Sequence, residues 1–114
     1  MSNLVEQLCE LHSCTVDLLE LHMDRYFVKT CEFLVTHPLR TLHLKQNRLV
    51  RFDGLSFSRT KDLHAYNGYL GVTVPQHYYA RHRIVLRHTN LPCLRERGGG
   101  SHVSYFPLEL LKAY

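Results

Sequence analysis

The stretch VPQHYYARHRIVLR, residues 74–87, decides how the rest of this chain is interpreted. It opens like a helix, because Thr73 is a capping residue type and Pro75 stands in the first turn, where its missing N–H donor does no harm. Gln76 can close a capping box with Thr73. A helix is therefore predicted to begin here and to run through His82.

Short strands are predicted on both sides of this helix. Apolar and basic residues alternate before it, and Gln46-Asn47 is expected to join the first two strands. Tyr66-Asn67-Gly68-Tyr69 predicts a tight hairpin beside a polar, basic loop at 58–62. A flexible loop is expected at 95–100, and a short helical or turn segment at 108–111. The predicted strands cover residues 42–44, 49–52 and 55–57 before the helix, and 91–94 and 103–106 after it.

The N-terminal third of the chain predicts two helices. Apolar residues recur every three or four positions from Asn3 to Leu11, and again after the capping residue type Thr15 until His37-Pro38 ends the pattern. Residues 1–39 carry six acidic and two basic residues, a net charge of −4. The rest of the chain carries twelve basic and four acidic residues, a net charge of +8. The two helices are therefore expected to form an acidic scaffold.

The composition excludes several classes of protein. A chain of 114 residues has room for one domain, and no apolar run is long enough to span a membrane. The four cysteines include no CxxC pair, which favours reduced thiols, and the nine histidines show no HxH or HExxH spacing. No paired-carboxylate, Ser-His-Asp or Cys-His spacing stands out either. We therefore expect no enzymatic activity, no cofactor and no metal.

The basic segment is also rich in aromatic residues. Eight of the twelve Phe and Tyr residues lie between Phe52 and Phe106, and the chain has ten arginines against four lysines. A groove for single-stranded nucleic acid combines these residue types, because positive charge follows the backbone and rings stack on bases. A solvated basic face over an aromatic core explains the same composition, so composition alone leaves both interpretations open.

Three motifs at a characteristic separation resemble the PAZ domain of the Argonaute family. They are VPQHYYARHRIVLR at 74–87, NLPCL at 90–94 and YFPLE at 105–109. Upstream, RFDGLS at 51–56 and LHAY at 63–66 are similar to a strand and a hairpin of that family. The resemblance covers nearly the whole chain. It implies an α+β fold, an OB-like or SH3-like β-barrel with an inserted β-hairpin-plus-helix module and two N-terminal helices.

The resemblance also implies how a single PAZ domain, residues 1–114, is divided. Residues 1–38 correspond to a helical scaffold, 39–57 to barrel strands, 58–83 to a clamp of hairpin and helix, and 84–114 to closing strands. In that family the clamp holds the 3′ end of a small guide RNA. Binding there is largely independent of sequence, because the contacts go to phosphates, sugar hydroxyls and base faces.

The family's positions transfer to individual residues of this chain. Tyr66 matches the hairpin aromatic that stacks on the terminal base, and His77 and His82 stand where the family has phosphate-binding tyrosines. A histidine donates one hydrogen bond, or two when protonated, so phosphate binding at these positions is expected to depend on pH. The full set that the resemblance assigns to RNA 3′-end binding is Arg59, Lys61, Tyr66, His77, Tyr78, Arg81, His82, Arg87, His102, Tyr105 and Phe106.

The leading hypothesis is a non-catalytic module that anchors the 3′ end of a single-stranded small guide RNA in an Argonaute-type gene-silencing protein. It is expected to be monomeric, to contact other domains of the same protein, and to bind no membrane. The expected location is the cytoplasm, including ribonucleoprotein granules, or the nucleus. The two histidine-for-tyrosine replacements motivate the alternative, a degenerate PAZ-like domain that binds protein or peptide.

Overall fold

The structure, a computed structural model, describes residues 3–44, 47–65, 71–97 and 103–114. It combines helices with antiparallel strands, as the predicted α+β class requires. No helix within the described residues is both long and apolar enough to cross a membrane. The helices are α1 (Leu4–His12), α2 (Val16–Leu21), α3 (Met23–Thr36) and α4 (Val74–His82). The strands are β1 (Leu39–Thr41), β2 (Leu49–Val50), β3 (Leu55–Arg59), β4 (Pro92–Arg97), β5 (Val103–Pro107) and β6 (Leu111–Ala113).

Three helices, not the predicted two, precede the first strand. The side-chain oxygen of Asn3 caps α1 by accepting from the Glu6 N–H at 3.1 Å, and that of Thr15 caps α2 by accepting from the Leu18 N–H at 3.3 Å. His22, with φ −116° and ψ 30°, then leaves the helical conformation and separates α2 from α3. The prediction of one long helix was wrong because a one-residue break hardly changes the spacing of the apolar residues.

The strands form two three-stranded antiparallel sheets, in the orders β2–β1–β6 and β3–β4–β5. Closure of these sheets into a barrel stays a prediction. The strand predicted at 42–44 was wrong, because β1 begins at Leu39 and the chain bends at 42–44. Leu42 and Leu44 are half-buried within that bend, so their alternation marks burial rather than strand pairing.

The end of the chain forms both the predicted turn and an unpredicted strand, β6, which pairs with β1. Leu108–Leu110 form the predicted turn as a 3-10 helix, but Leu111–Ala113 continue as a strand. Leu111 is fully buried. The side chain of Gln7 in α1 donates to the Ala113 carbonyl at 2.8 Å and accepts from the Ala113 N–H at 2.9 Å. Because these contacts join opposite ends of the chain, the local pattern did not predict the strand.

Two predicted loops are more ordered than expected. Arg95–Arg97 belong to β4 and pair with β5, so the loop predicted at 95–100 was wrong over its first half. The segment predicted as a loop at 58–62 consists of the end of β3 and a 3-10 turn, Thr60–Asp62, in which Thr60 is buried. The hairpin predicted at 66–69 lies outside the described residues.

Two apolar clusters hold the elements together. The larger lies between the N-terminal helices and both sheets, and among its fully or almost fully buried members are Leu8, Leu34, Leu94 and Leu111. The smaller packs α4 against β4 and consists of Val74, Tyr78, Leu86 and Cys93, with Tyr105 of β5 packed against it. The smaller cluster therefore sets the position of α4 relative to β5.

Candidate functional site

Helix α4 begins at a capping box, as predicted. The Thr73 hydroxyl accepts from the Gln76 N–H at 3.3 Å, and the Gln76 side chain accepts from the Thr73 N–H at 2.9 Å. The helix ends at Arg83, whose φ of 57° lies in the left-handed region. The cap fixes where the helix begins, and the packing of Val74 and Tyr78 against Cys93 of β4 fixes which side of the helix faces the cleft.

A cleft of about 330 Å³ lies between α4, β5 and the segment that joins β1 to β2. The six predicted residues that line it are His77, Tyr78, Arg81, His82, Tyr105 and Phe106. The other lining residues are His43, Leu44, Arg48, Ala65, Val103 and Ser104. The fold thus brings four separate segments of the chain to one site, which we call the α4 cleft.

Tyr78 forms a wall of the α4 cleft and is only 5% exposed. Its hydroxyl donates to the Tyr105 carbonyl at 3.0 Å, and burial raises the pKa of this hydroxyl well above its ordinary value. The hydroxyl is thus protonated and engaged at neutral pH. The ring remains as an apolar surface, which the His43 ring meets edge to face at 5.5 Å between centroids.

Three histidines meet in the α4 cleft. The ring centroid of His82 lies 4.9 Å from that of His43 and 6.4 Å from that of His77. Burial lowers the pKa of His43 and of His77, and the positive charge of His82 acts in the same direction on both. The buried Nδ1 of His43 has no hydrogen-bond partner among the described residues. An anion in the cleft would oppose these effects, because it stabilises the protonated imidazole.

The described histidines show no arrangement of a metal centre. Among the described residues, no group of three or more His, Cys, Asp or Glu side chains is placed to hold a metal ion. In the cleft the His43 and His82 rings meet edge to face, with 79° between their planes. Their arrangement suits packing and hydrogen bonding to a ligand.

Arg48 supplies a cation whose charge is partly compensated. Its guanidinium pairs with the carboxylate of Glu96 and lies 5.5 Å from the centroid of the Phe106 ring. The other Glu96 oxygen accepts from the Arg51 N–H at 2.8 Å, and Glu96 is 7% exposed. In contrast, Arg81 of α4 is exposed and forms no ion pair with another described residue.

Three of the predicted residues lie away from the α4 cleft. Arg59, at the end of β3, lines a different groove. Lys61 is exposed in the 3-10 turn. The backbone N–H of Arg87 donates to both carboxylate oxygens of Glu109, at 3.0 and 3.1 Å, and its side chain is exposed. Their contacts with RNA stay predictions, as do those of Tyr66 and His102, which lie outside the described residues.

His43 and Arg48 were missed as site residues. Both are polar members of the alternating segment between residues 42 and 52, and that alternation is the signal that could have found them. It places them on the polar side of the segment, but it does not say which element they face. The pairing of β1 with β2, Leu39 to Val50 and Arg40 to Leu49, brings His43 and Arg48 to the α4 cleft.

No protein-family model and no curated protein sequence gives a significant match to this chain. Among solved structures the chain is similar to the PAZ domain of Drosophila Argonaute2, a domain described together with its nucleic-acid binding. The two structures superpose with a TM-score of 0.60 at 18% sequence identity, over 82% of this chain and 79% of that domain. At this identity the likeness concerns the fold alone, and it shows that this chain has a PAZ-like fold.

Proposed function

We propose that this chain is a non-catalytic RNA-binding module that holds the 3′ end of a single-stranded small guide RNA in the α4 cleft, within an Argonaute-type gene-silencing protein. The observation that carries the proposal is the meeting of six predicted residues in one cleft of a PAZ-like fold. The nucleic-acid binding of the Drosophila domain with the similar fold supports the same class of partner.

The size of the α4 cleft favours a strand end over a duplex. Its volume of about 330 Å³ lies at the lower end of the range of small-molecule pockets, which is roughly 300–1,000 Å³. A site of that size takes about one nucleotide. A duplex presents a continuous surface of phosphates and no free base, and it does not enter such a site.

The chemistry of the lining residues suits a terminal nucleotide. Arg81 and the imidazoles of His77 and His82 offer charge and hydrogen-bond donors to phosphate oxygens. Tyr105 offers ring surface to a base or sugar. Phe106 is only 9% exposed and its ring lies under the Arg48 guanidinium, so it supports the cleft from the core. None of these groups selects a particular base edge, so we expect binding that depends weakly on sequence and strongly on salt.

The test is a fluorescence-polarisation titration of the full chain with a short single-stranded RNA that ends in a free 3′ hydroxyl. The same RNA with a 3′ phosphate is the comparison. We expect micromolar binding of the free end at low salt and at least about tenfold weaker binding of the blocked end, a difference of about 1.4 kcal/mol. Equal affinity for the two ends, or no binding at low salt, would overturn the proposal.

A pair of matched variants locates the binding site. Arg81→Ala removes an exposed arginine from the cleft, and Arg25→Ala removes an exposed arginine from α3 in the acidic segment. Since the two changes alter the net charge equally, only a local contact explains a different effect. We expect Arg81→Ala to weaken RNA binding about threefold to tenfold and Arg25→Ala to leave it unchanged. Equal effects would indicate binding through net charge rather than in the cleft.

A further inference from the structure

A second and larger groove lies on the acidic side of the molecule. It has a volume of about 560 Å³ and runs between β3 and the helices α2 and α3. Phe27 of α3 and Phe57 of β3 contribute nearly parallel rings, with 11° between their planes and 6.4 Å between their centroids. None of its lining residues lines the α4 cleft, and Arg59 is the one among them that the sequence assigns to RNA binding.

The walls of this groove expose large apolar side chains to water. Phe57 is 95% exposed, Leu21 69% and Val28 67%. They come from three different elements, α2, α3 and β3, and all line the same groove. A contiguous apolar surface of this kind on a small protein marks an interaction site more often than chance, whereas a single exposed apolar side chain does not.

One wall of the groove is an outer strand of a sheet. In the part of the chain that the structure describes, β3 pairs with β4 on one side and has no strand on the other. The three consecutive residues Phe57, Ser58 and Arg59 are exposed. An outer strand offers unpaired N–H and C=O groups, to which an extended peptide can add as a further strand.

The charge around the groove selects the kind of partner. Asp24 and Glu20 line the groove, and Asp17 lies in the cleft that adjoins it. Asp17 and Asp24 are exposed and form no ion pair with another described residue. Arg59 is the single basic residue among the lining residues. This rim repels phosphate backbones and attracts Lys and Arg side chains.

The same charge disfavours a symmetric dimer through this groove. Residues 1–39, which supply α2 and α3, have a net charge of −4. A two-fold interface would bring two copies of this acidic surface together, which costs free energy because like charges repel.

The geometry points to a docking site for an extended segment of a partner protein that carries alternating apolar residues flanked by Lys or Arg. Its backbone pairs with the outer edge of β3. Its apolar side chains cover Phe57, Leu21 and Val28, and its basic side chains meet Asp17 and Asp24. This proposal stands independently of RNA binding, since it uses different residues on a different face.

The test is selection from a random decapeptide library displayed on phage, against the full chain and against Phe57→Ser. Because Phe57 is almost fully exposed, its replacement leaves the core intact. Val85→Ser is the matched control, since Val85 is 71% exposed and does not line the groove. We expect enrichment of basic peptides with alternating apolar residues on the unaltered chain and on Val85→Ser, and at least about tenfold less on Phe57→Ser.

Charge and backbone pairing are tested on one selected peptide. Asp24→Asn should weaken its binding severalfold, as should N-methylation of alternate backbone amides in the peptide. Failure to enrich peptides that depend on Phe57, enrichment of acidic peptides, or insensitivity to both changes would overturn the proposal. So would two further results: loss of RNA binding in Phe57→Ser, which would make the groove a nucleic-acid site, or a concentration-dependent dimer that Phe57→Ser abolishes.

Discussion

At the scale of single residues, the Arg48 guanidinium lies between two groups that act in opposite ways on its ability to bind an anion, the Phe106 ring and the Glu96 carboxylate. The Phe106 ring holds it beside the α4 cleft, and the Glu96 carboxylate neutralises part of its charge. Half of the Arg48 side chain remains exposed, 48%, whereas that of Glu96 is 9% exposed. The pair therefore leaves Arg48 with only part of its charge uncompensated beside the cleft.

We predict that Glu96→Gln strengthens RNA binding. The amide keeps an acceptor for the Arg51 N–H but removes the negative charge, so Arg48 gains an uncompensated charge beside the cleft. Affinity at low salt should rise about threefold to tenfold, and the free energy of unfolding should fall by about 1–2 kcal/mol. RNA titration and urea denaturation measure the two effects.

The matched control for this change is Glu109→Gln. Glu109 also accepts backbone N–H groups, those of Arg87 and His88, but it does not pair with a cleft arginine. It should lower stability without raising affinity. If Glu96→Gln leaves affinity unchanged, Arg48 does not act on the ligand.

As the pH falls, we expect the histidines of the cleft to lower the stability of the fold and to raise its affinity for RNA. Burial lowers the pKa of His43 and His77 in the folded chain, so the unfolded chain binds protons first. Stability should be complete above about pH 6.5 and decrease as the pH falls below that value. RNA affinity should instead increase over the same range, because phosphate stabilises the protonated imidazoles.

Thermal unfolding and RNA titration between about pH 7.5 and pH 5.5 test both statements. His12 serves as the control. Burial also lowers its pKa, but it lies outside the cleft, where its Nε2 is 2.8 Å from the Thr30 hydroxyl in a hydrogen bond. His12→Gln should reduce the pH dependence of stability and leave that of binding intact. His43→Gln combined with His77→Gln should flatten the pH dependence of binding. An affinity that does not change with pH in the unaltered chain would contradict the role of these histidines.

At the scale of elements, α4 is an example of a helix whose local sequence determines its position along the chain. The capping box at Thr73 fixes the first turn. Val74 and Tyr78, one helical turn apart, are the apolar residues that attach the helix to β4. On the same helix Arg81 is exposed, and His77 and His82 are partly buried. Capping and packing together therefore orient the side chains that we propose to contact RNA.

We predict that Thr73→Ala weakens both the fold and RNA binding. Loss of an N-cap side chain costs about 1 kcal/mol, and fraying of the first turn loosens His77. Thr15→Ala is the matched control, because Thr15 caps α2 with the same chemistry on the acidic side of the molecule. Urea denaturation should show a similar loss of stability in both variants, whereas RNA titration should show weaker binding in Thr73→Ala alone. Equal RNA affinity in the two variants would contradict the prediction.

At the scale of the whole molecule, the two oppositely charged segments of the chain contribute differently to the two sites. The acidic residues 1–39 supply α2 and α3, which form a wall of the apolar groove. The basic remainder supplies every residue that lines the α4 cleft. The two proposed partners, RNA and a basic peptide, are therefore assigned to sites of different charge.

We predict that the salt dependence of RNA binding comes in part from the contact between Arg81 of the cleft and a phosphate. For single-stranded nucleic acid, the logarithm of the binding constant falls by about 0.7 per unit of log salt for each phosphate neutralised. Arg81→Ala should reduce the magnitude of this slope by about that amount, whereas Arg25→Ala should not change it. Titrations at several salt concentrations measure the slopes, and an unchanged slope in Arg81→Ala would place the phosphate contacts elsewhere.

The sequence by itself determined α4 with its capping box, the strands of the NLPCL and YFPLE motifs and the division of charge, because these depend on neighbours along the chain. The six predicted residues of the cleft came from the resemblance to the PAZ domain, and the fold brings them together. Only the tertiary structure decided that His43 and Arg48 face α4, that Glu96 compensates Arg48, that 111–113 form a strand, and that Phe57 shares a groove with Leu21 and Val28. Each of these depends on a pairing between segments far apart in the sequence, and local periodicity carries no information about such partners.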